Sequence, residues 1–391
     1  MPDTQTTQEK PRLSVRLVSY ARTAAPYIIA AVVTVIVMVI VIAAGHGNVR
    51  EALTAMWDGA VGVHFIVKPI PLPGGHFSLV APVGISFDRS AIGTTLVRTG
   101  PLVLTGLGVA IAFRARMWNI GGQGQFLLGA ILASVVATRT GFSHFPTVVL
   151  IPMMLTASIL AGAIWAALPA VLKTWRSVPE VISTIMLNFV ALFLLSYLVN
   201  GPLQRSDHSQ PATEQLSTNA TLPVLVSGTS LHAGLFVVAI AAVLAWAMLT
   251  WSRTGFSIKV VGASPGAARL YGHNVVWTTI AAMAWSGALC GLAGGIELSG
   301  VLGNLPEGYA PDFGFTAVAV ALLGRLQVRG VVLSALLFGA LAAGSENMER
   351  TAGIAHELGF VVQACLLLTL LAAPAFAKLR TVAAPALPSE A

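Results

Sequence analysis

Thr147-Val-Val-Leu-Ile-Pro-Met-Met-Leu-Thr-Ala-Ser-Ile-Leu-Ala-Gly-Ala-Ile-Trp-Ala-Ala-Leu-Pro-Ala-Val171 runs for 25 residues without a charged side chain, and Lys173 and Arg176 follow it closely. About 20 apolar residues in a helix span the hydrocarbon core of a bilayer. The rest of the chain repeats the pattern. Of its 391 residues 56% are hydrophobic and only 9% charged, with a mean hydropathy of +0.82, where a soluble domain carries roughly 25% charge. So few charges do not cover a water-soluble surface of this size. The composition predicts an all-α polytopic membrane protein.

Ten segments read as spans: 26–44, 91–113, 121–139, 147–171, 180–200, 231–251, 275–298, 312–326, 330–345 and 357–374. The eighth and ninth are short and flank Gly324-Arg325 and Arg329-Gly330, which predicts half-helices or a re-entrant pair. With the N-terminus inside, alternation places 15 of the 22 Lys and Arg residues on the inner side and 7 outside, Arg98 included. That is the bias of cytoplasmic loops, so both termini are expected in the cytoplasm. The division is then a basic cytoplasmic tail at 1–25, a transmembrane region at 26–376 and a cytoplasmic tail at 377–391. The first apolar run is too long for a signal-peptide core and reads as an uncleaved helix. Two outer stretches have length enough for shape. One is 45–90, with an amphipathic Glu51–Trp57 pattern and then a Pro/Gly-rich section. The other is the polar 201–230, readable either as a partner surface or as a loose loop.

Polar residues interrupt the apolar runs in four places. Met117-Trp-Asn-Ile-Gly-Gly-Gln-Gly-Gln125 opens the third span. Amides at membrane depth must face the bundle or a wet cavity, so Trp118, Asn119, Gln123 and Gln125 fit either helix–helix contacts or a substrate pathway. Asn119 and Gln123 would share a face if the segment is helical. In Ser177-Val-Pro-Glu-Val-Ile-Ser-Thr-Ile-Met-Leu-Asn188, Pro179 and Glu180 suit a first helical turn, with Ser177 as cap. Asn188 lies about two turns deeper and joins the pathway candidates. The inner loop 251–274 holds Ser264 as an N-cap, Pro265 as first helical residue and Gly272 as a stop, predicting a short helix at 264–272. Its small face, Ala267 and Ala268 beside Arg269 and Tyr271, is expected to dock into a partner. Gly314–Arg325 and Leu336–Ala340 carry the small residues of close helix packing or of a broken-helix region. Glu297 and Asp312, near span ends, are expected to reach the interface.

Other chemistries lack their residues. Cys290 and Cys365 form no CxxC, and the eight histidines are scattered, so no metal centre, redox pair or catalytic cluster is expected and the chain does not read as an enzyme. The +7 charge forms no patch for nucleic acid. An ion-driven secondary transporter needs a carboxylate near the midplane, and the acidic residues here fall at ends and loops.

Four motifs together resemble the permease subunits of ATP-binding-cassette importers, in the branch with ribose, branched-chain amino acid and especially purine-nucleoside permeases. They are Asn119–Gln125, Glu180–Asn188, the Gly255–Gly272 loop and Ala319–Gly324, and the likeness covers roughly 90–375. Many relatives carry an acidic residue at or beside Gln123, a departure that removes a charge role there. The resemblance implies inward transport of a small neutral solute, nucleosides before ribose-like sugars or branched-chain amino acids, across a plasma membrane. It implies cytoplasmic ATPase subunits that receive the 264–272 helix (Ser264, Ala267, Ala268, Arg269 and Gly272), an extracytoplasmic solute-binding lipoprotein, a second permease chain and surrounding lipid. It also implies inverted repeats of spans two to five and seven to ten. No cofactor is expected. None of the five lysines follows a glycine, so these residues contain no phosphate cradle of their own.

Overall fold

The computed structural model describes residues 29, 32–43, 48–71, 78–139, 141–355 and 357–382. The 1–25 tail and the end of the 377–391 tail lie outside the described residues. An apolar helix α1 (Val32–Ala43) is followed by α2 (Val49–Val61), which contains the amphipathic Glu51–Trp57 pattern. Asn48 caps α2, accepting from the backbone amides of Arg50 and Glu51. An antiparallel hairpin then pairs β1 (Val63–Pro71) with β2 (Ser78–Phe87). It corrects the all-α expectation: the prolines and glycines of this section hid the strands in the sequence.

The membrane body begins with α3 (Arg89–Arg114), α4 (Gly122–Thr138), α5 (Thr147–Arg176) and α6 (Glu180–Val199). It continues through α7 (Gly234–Trp251), α8 (Arg253–Ala263), α9 (Pro265–Leu270) and α10 (Val275–Glu297), which runs into a π-helical turn at Leu298–Leu302. Last come α11 (Phe313–Leu323), α12 (Val328–Ala352) and α13 (Glu357–Val382). Among the described residues six helices are long and apolar enough to cross a membrane (α3, α5, α6, α7, α10 with its π turn, and α12), and four shorter ones are apolar. Of the predicted short pair only α11 is short. The ninth segment is the full-length α12, with 25 residues, because Ser345, Glu346 and Asn347 extend it by facing protein rather than lipid.

Burial ranks the helices. The apolar window of α3 is 83% buried, against 28% in α6 and α7, so α3 is the hub and the other two form the rim. Two interlocked groups result. The first-half helix α3 packs on α10, α11 and α12, and the second-half helix α10 packs on α3, α4 and α5. The α5–α10 crossing is close because Gly162 and Gly287 face each other, and a Cβ on either would strike the other's carbonyl oxygen. Small residues let helix backbones approach in lipid, where packing replaces the hydrophobic drive.

Arg114, Lys173, Arg253, Arg325 and Arg329 gather at one end of the bundle, joined there by the bonds of Arg114 to Leu326, Arg116 to Ala263 and Lys173 to Glu180, and the 201–230 and 303–312 connections lie at the other. At that loop end 201–230 is tied down, against the loose-loop reading. The Thr213, Leu216 and Leu222 amides donate to the carbonyls of Leu305, Gly303 and Ser299 at 3.0, 2.7 and 2.8 Å. The Leu305 amide returns a bond to Thr213 Oγ1 at 3.0 Å. Glu297, expected near the interface, lies at this end of α10 but is covered by protein: it is 2% exposed, and the π turn continues the helix beyond it.

Candidate functional site

At the basic end the chain leaves α3, turns through Arg116 in the left-handed region (φ 57°) and starts α4 at Gly122. Asn119 stands before α4, so it does not share a helical face with Gln123. It forms a reciprocal amide pair with Gln125: Asn119 Nδ2 donates to Gln125 Oε1 at 3.0 Å and Gln125 Nε2 to Asn119 Oδ1 at 2.9 Å. Asn119 Nδ2 also donates to Ser286 Oγ of α10 at 2.8 Å, and Asn119 Oδ1 accepts from the Gly121 amide at 3.0 Å. One side chain thereby joins the turn, α4 and α10, and the pair is fully buried.

Helix α6 clamps the same turn. Asn188 accepts from the Gly124 amide at 2.8 Å and donates to the Ile120 carbonyl at 2.9 Å. The Gly124 amide is one of the donors that a helix start leaves without an intrahelical partner. Two turns earlier Glu180 pairs with Lys173 at 2.6 Å and accepts from the Trp118 amide at 3.5 Å. Glu180 does sit in the first turn of α6, but Ser177 is not its cap. Ser177 ends α5 in the left-handed region, and Pro179 occupies the cap position. Trp118 is half-exposed, its ring 4.7 Å from Phe113.

Gln123 faces the second half. Its Oε1 accepts from the Gly314 amide of α11 at 3.1 Å, and the Gly314 Cα lies against the Gln123 backbone where a Cβ would not fit. Phe126 and Phe313 pack beside it with ring centroids 5.8 Å apart. The N-termini of two short helices, α4 and α11, therefore meet inside the bundle. The Gln123 Nε2 is buried without a protein acceptor.

The predicted short helix is present as α9. Ser264 Oγ accepts from the Ala267 amide at 3.3 Å, Pro265 takes the first helical position, and Gly272 ends the turn at φ 80°. Its surface differs from the reading of the sequence. Ala268 is fully buried and Ala267 partly so, while Leu270 and Tyr271 are 89% and 82% exposed; Arg269 is exposed beside them. Sequence reasoning missed α8, whose cap Ser252 accepts from the Gly255 amide at 2.9 Å. It also missed the ties beneath: Arg116 donates to the Ala263 carbonyl at 3.0 Å, Arg114 Nε to the Leu326 carbonyl at 2.9 Å, and Gly262 lies on the Arg114 carbonyl. The α8–α9 unit is thus joined to the turn that carries Asn119.

Comparison with known proteins agrees with this architecture. The branched-chain amino acid transport system / permease component family matches residues 91–371. The glucose ABC transporter permease protein TsgB13 of Haloferax volcanii is 35% identical over 345 residues, 85% of this chain and 88% of that protein. The guanosine ABC transporter permease protein NupP of Bacillus subtilis is 36% identical over 291 residues, 73% and 82% of the two chains. The nucleoside ABC transporter permease protein NupB of Lactococcus lactis is 34% identical over 286 residues, 71% and 78%. This multi-pass membrane protein belongs to the branched-chain amino acid transport system / permease component family of ABC transporters.

Proposed function

We propose that the chain imports nucleosides as the permease subunit of an ATP-binding-cassette transporter, with separate ATPase subunits at its basic end and a solute-binding protein at its loop end. The observation that carries the substrate is its 34–36% identity to the guanosine and nucleoside permeases over 71–73% of this chain. A sugar is the second reading, favoured by the glucose permease relative, whose likeness extends over 345 residues. The ten apolar helices act as ten spans with cytoplasmic termini, in line with the basic residues at one end. Spans two to five and seven to ten act as inverted repeats, a reading supported by the reciprocal packing of α3 and α10 across the halves. The chain carries no catalysis of its own: the work comes from ATP on its partners.

The pathway follows the α4–α11 meeting point. Trp118, Asn119, Gln123, Gln125 and Asn188 stand along it. Asn119, Gln125 and Asn188 are satisfied by protein partners in this conformation, and the Gln123 NH2 is the buried donor left for a solute hydroxyl or carbonyl. Leu270 and Tyr271 enter the ATPase, with Ser264, Gly272 and the buried Ala268 shaping α9 beneath them and Arg269 beside them. Two permease chains, identical or homologous, complete the pore. The partner binding protein, titrated with guanosine, adenosine, ribose, glucose and leucine, tests the substrate. Tight binding of nucleosides alone is expected; binding of glucose in their place transfers the assignment to sugars.

A further inference from the structure

At the loop end, away from the α4–α11 junction, α3, α10 and α12 each bring one charged side chain to a common point. Arg98 of α3 donates through Nε and Nη2 to Glu346 Oε2 of α12 at 3.2 and 3.0 Å. Its Nη1 lies 3.9 Å from Glu297 Oε1 of α10, which also accepts from the Tyr309 hydroxyl at 3.3 Å. The side chains of Arg98 and Glu346 are 31% and 35% exposed and that of Glu297 only 3%. Charged groups at membrane depth are costly unless paired. Packing alone needs one carboxylate for one guanidinium, and here there are two, from different helices.

Both acids belong to the second half of the chain and the arginine to the first. The neighbouring backbone is irregular: Glu297 is followed by the π turn at Leu298–Leu302 and by Gly303 in the left-handed region. Such bulges often mark functional positions. The turn and the segment after it hold the 201–230 loop through the backbone bonds of Ser299, Gly303 and Leu305. On the other side α2 is fixed to both α3 and α12, by Thr95 Oγ1 to the Ala60 carbonyl and Asn347 Nδ2 to the Ala55 carbonyl, each at 2.8 Å. Whatever Arg98 holds therefore sets how α3, α2 and α12 together sit against α10 and its attached loop.

We propose that Arg98 is a two-position ionic switch at the loop end of the permease, exchanging Glu346 for Glu297 as the unit formed by α3, α2 and α12 moves against α10 during the transport cycle. Here Arg98 is hydrogen-bonded to Glu346, with Glu297 in ion-pair range at 3.9 Å. A guanidinium that always has one carboxylate in reach changes partners without becoming an unpaired charge, the expensive state for a partly buried ion. Packed helices with two discrete arrangements carry such transitions. The inference rests on the permease reading for its motion, but on none of the substrate assignments.

The test uses the assembled transporter in vesicles, with Val97→Cys in a Cys365→Ser background as reporter. Val97 lies beside Arg98 in a crevice between α3, α7 and α10, lined also by Pro101, Val238 and Ile296. Its labelling by a membrane-impermeant maleimide is measured in Glu297→Gln and Glu346→Gln variants. Each substitution preserves shape and removes the surplus acid, so both proteins are expected to fold, checked by yield and thermal stability. Glu346→Gln sends Arg98 to Glu297 and slows labelling by about fivefold or more. Glu297→Gln holds Arg98 on Glu346 and leaves labelling as fast or faster. ATPase activity without solute should likewise move in opposite directions in the two variants. Equal shifts in the same direction, or no shift in either, overturn the switch. A wrong substrate leaves both readouts untouched.

Discussion

The guanidinium of Arg116, in the turn between α3 and α4, donates to the carbonyl of Ala263, the last residue of α8, at 3.0 Å. That bond joins the exposed basic-end helices to the turn whose next polar residue, Asn119, ties α4 to α10. A push on α9 is therefore delivered within a few residues to the point where α4 begins. Replacing Arg116 by Met should leave assembly with the ATPase intact while lowering solute moved per ATP several-fold, read by parallel uptake and phosphate-release assays.

At the end of α9, Leu270 and Tyr271 expose apolar surface where water would favour polar groups. Leu270→Ser combined with Tyr271→Ser should abolish co-purification of the ATPase and leave membrane insertion unchanged. Ala268→Glu should act differently: a carboxylate forced into a fully buried position costs several kcal/mol unless paired, so the purified chain itself should lose thermal stability.

Asn188→Leu strands the Gly124 amide and the Ile120 carbonyl, each buried unpaired group costing about 1–3 kcal/mol. A drop in the melting temperature of the detergent-solubilised protein is expected together with loss of uptake. Gln123→Leu removes one bond to the Gly314 amide, and its effect should fall on uptake more than on stability. Thermal scans and transport assays on the same preparations separate the two.

At the loop end, Ser196 and Asn200 hold the Glu307 carboxyl below the usual range, and the Ser206 side chain and amide do the same for Glu214. A depressed carboxyl stabilises above its unfolded pKa of about 4.3 and loses that contribution as pH falls. Protection of the 201–230 loop from protease should therefore decline on acidification below about pH 5. The decline should flatten when both Glu307 and Glu214 are replaced by Gln.

The membrane class, α2 and the capped α9 were legible because each rests on local signals: hydropathy, an amphipathic spacing, a Ser-Pro start with a Gly stop. The hairpin was not, since Pro69, Pro71 and Pro73 read as loop and the pairing of Val63 with Phe87 spans 24 positions. Helix α8 escaped because Gly255 and Gly262 depress helix propensity, yet both let the chain lie on neighbouring backbone. The contacts of Glu297 were hidden for a different reason. Its partners, Arg98 and Glu346, are remote in sequence and meet only when three helices pack. The amide positions were visible, but their pairings were not: Asn119 finds Gln125 because α4 starts at Gly122 rather than earlier.

The most direct measurement is uptake of radiolabelled guanosine into vesicles containing this chain, alone and with its ATPase and binding protein. Accumulation is expected only in the complete assembly with ATP inside the compartment that the basic end faces, and no gradient of sodium or protons should substitute. Uphill uptake by the chain alone under such a gradient would contradict the proposal.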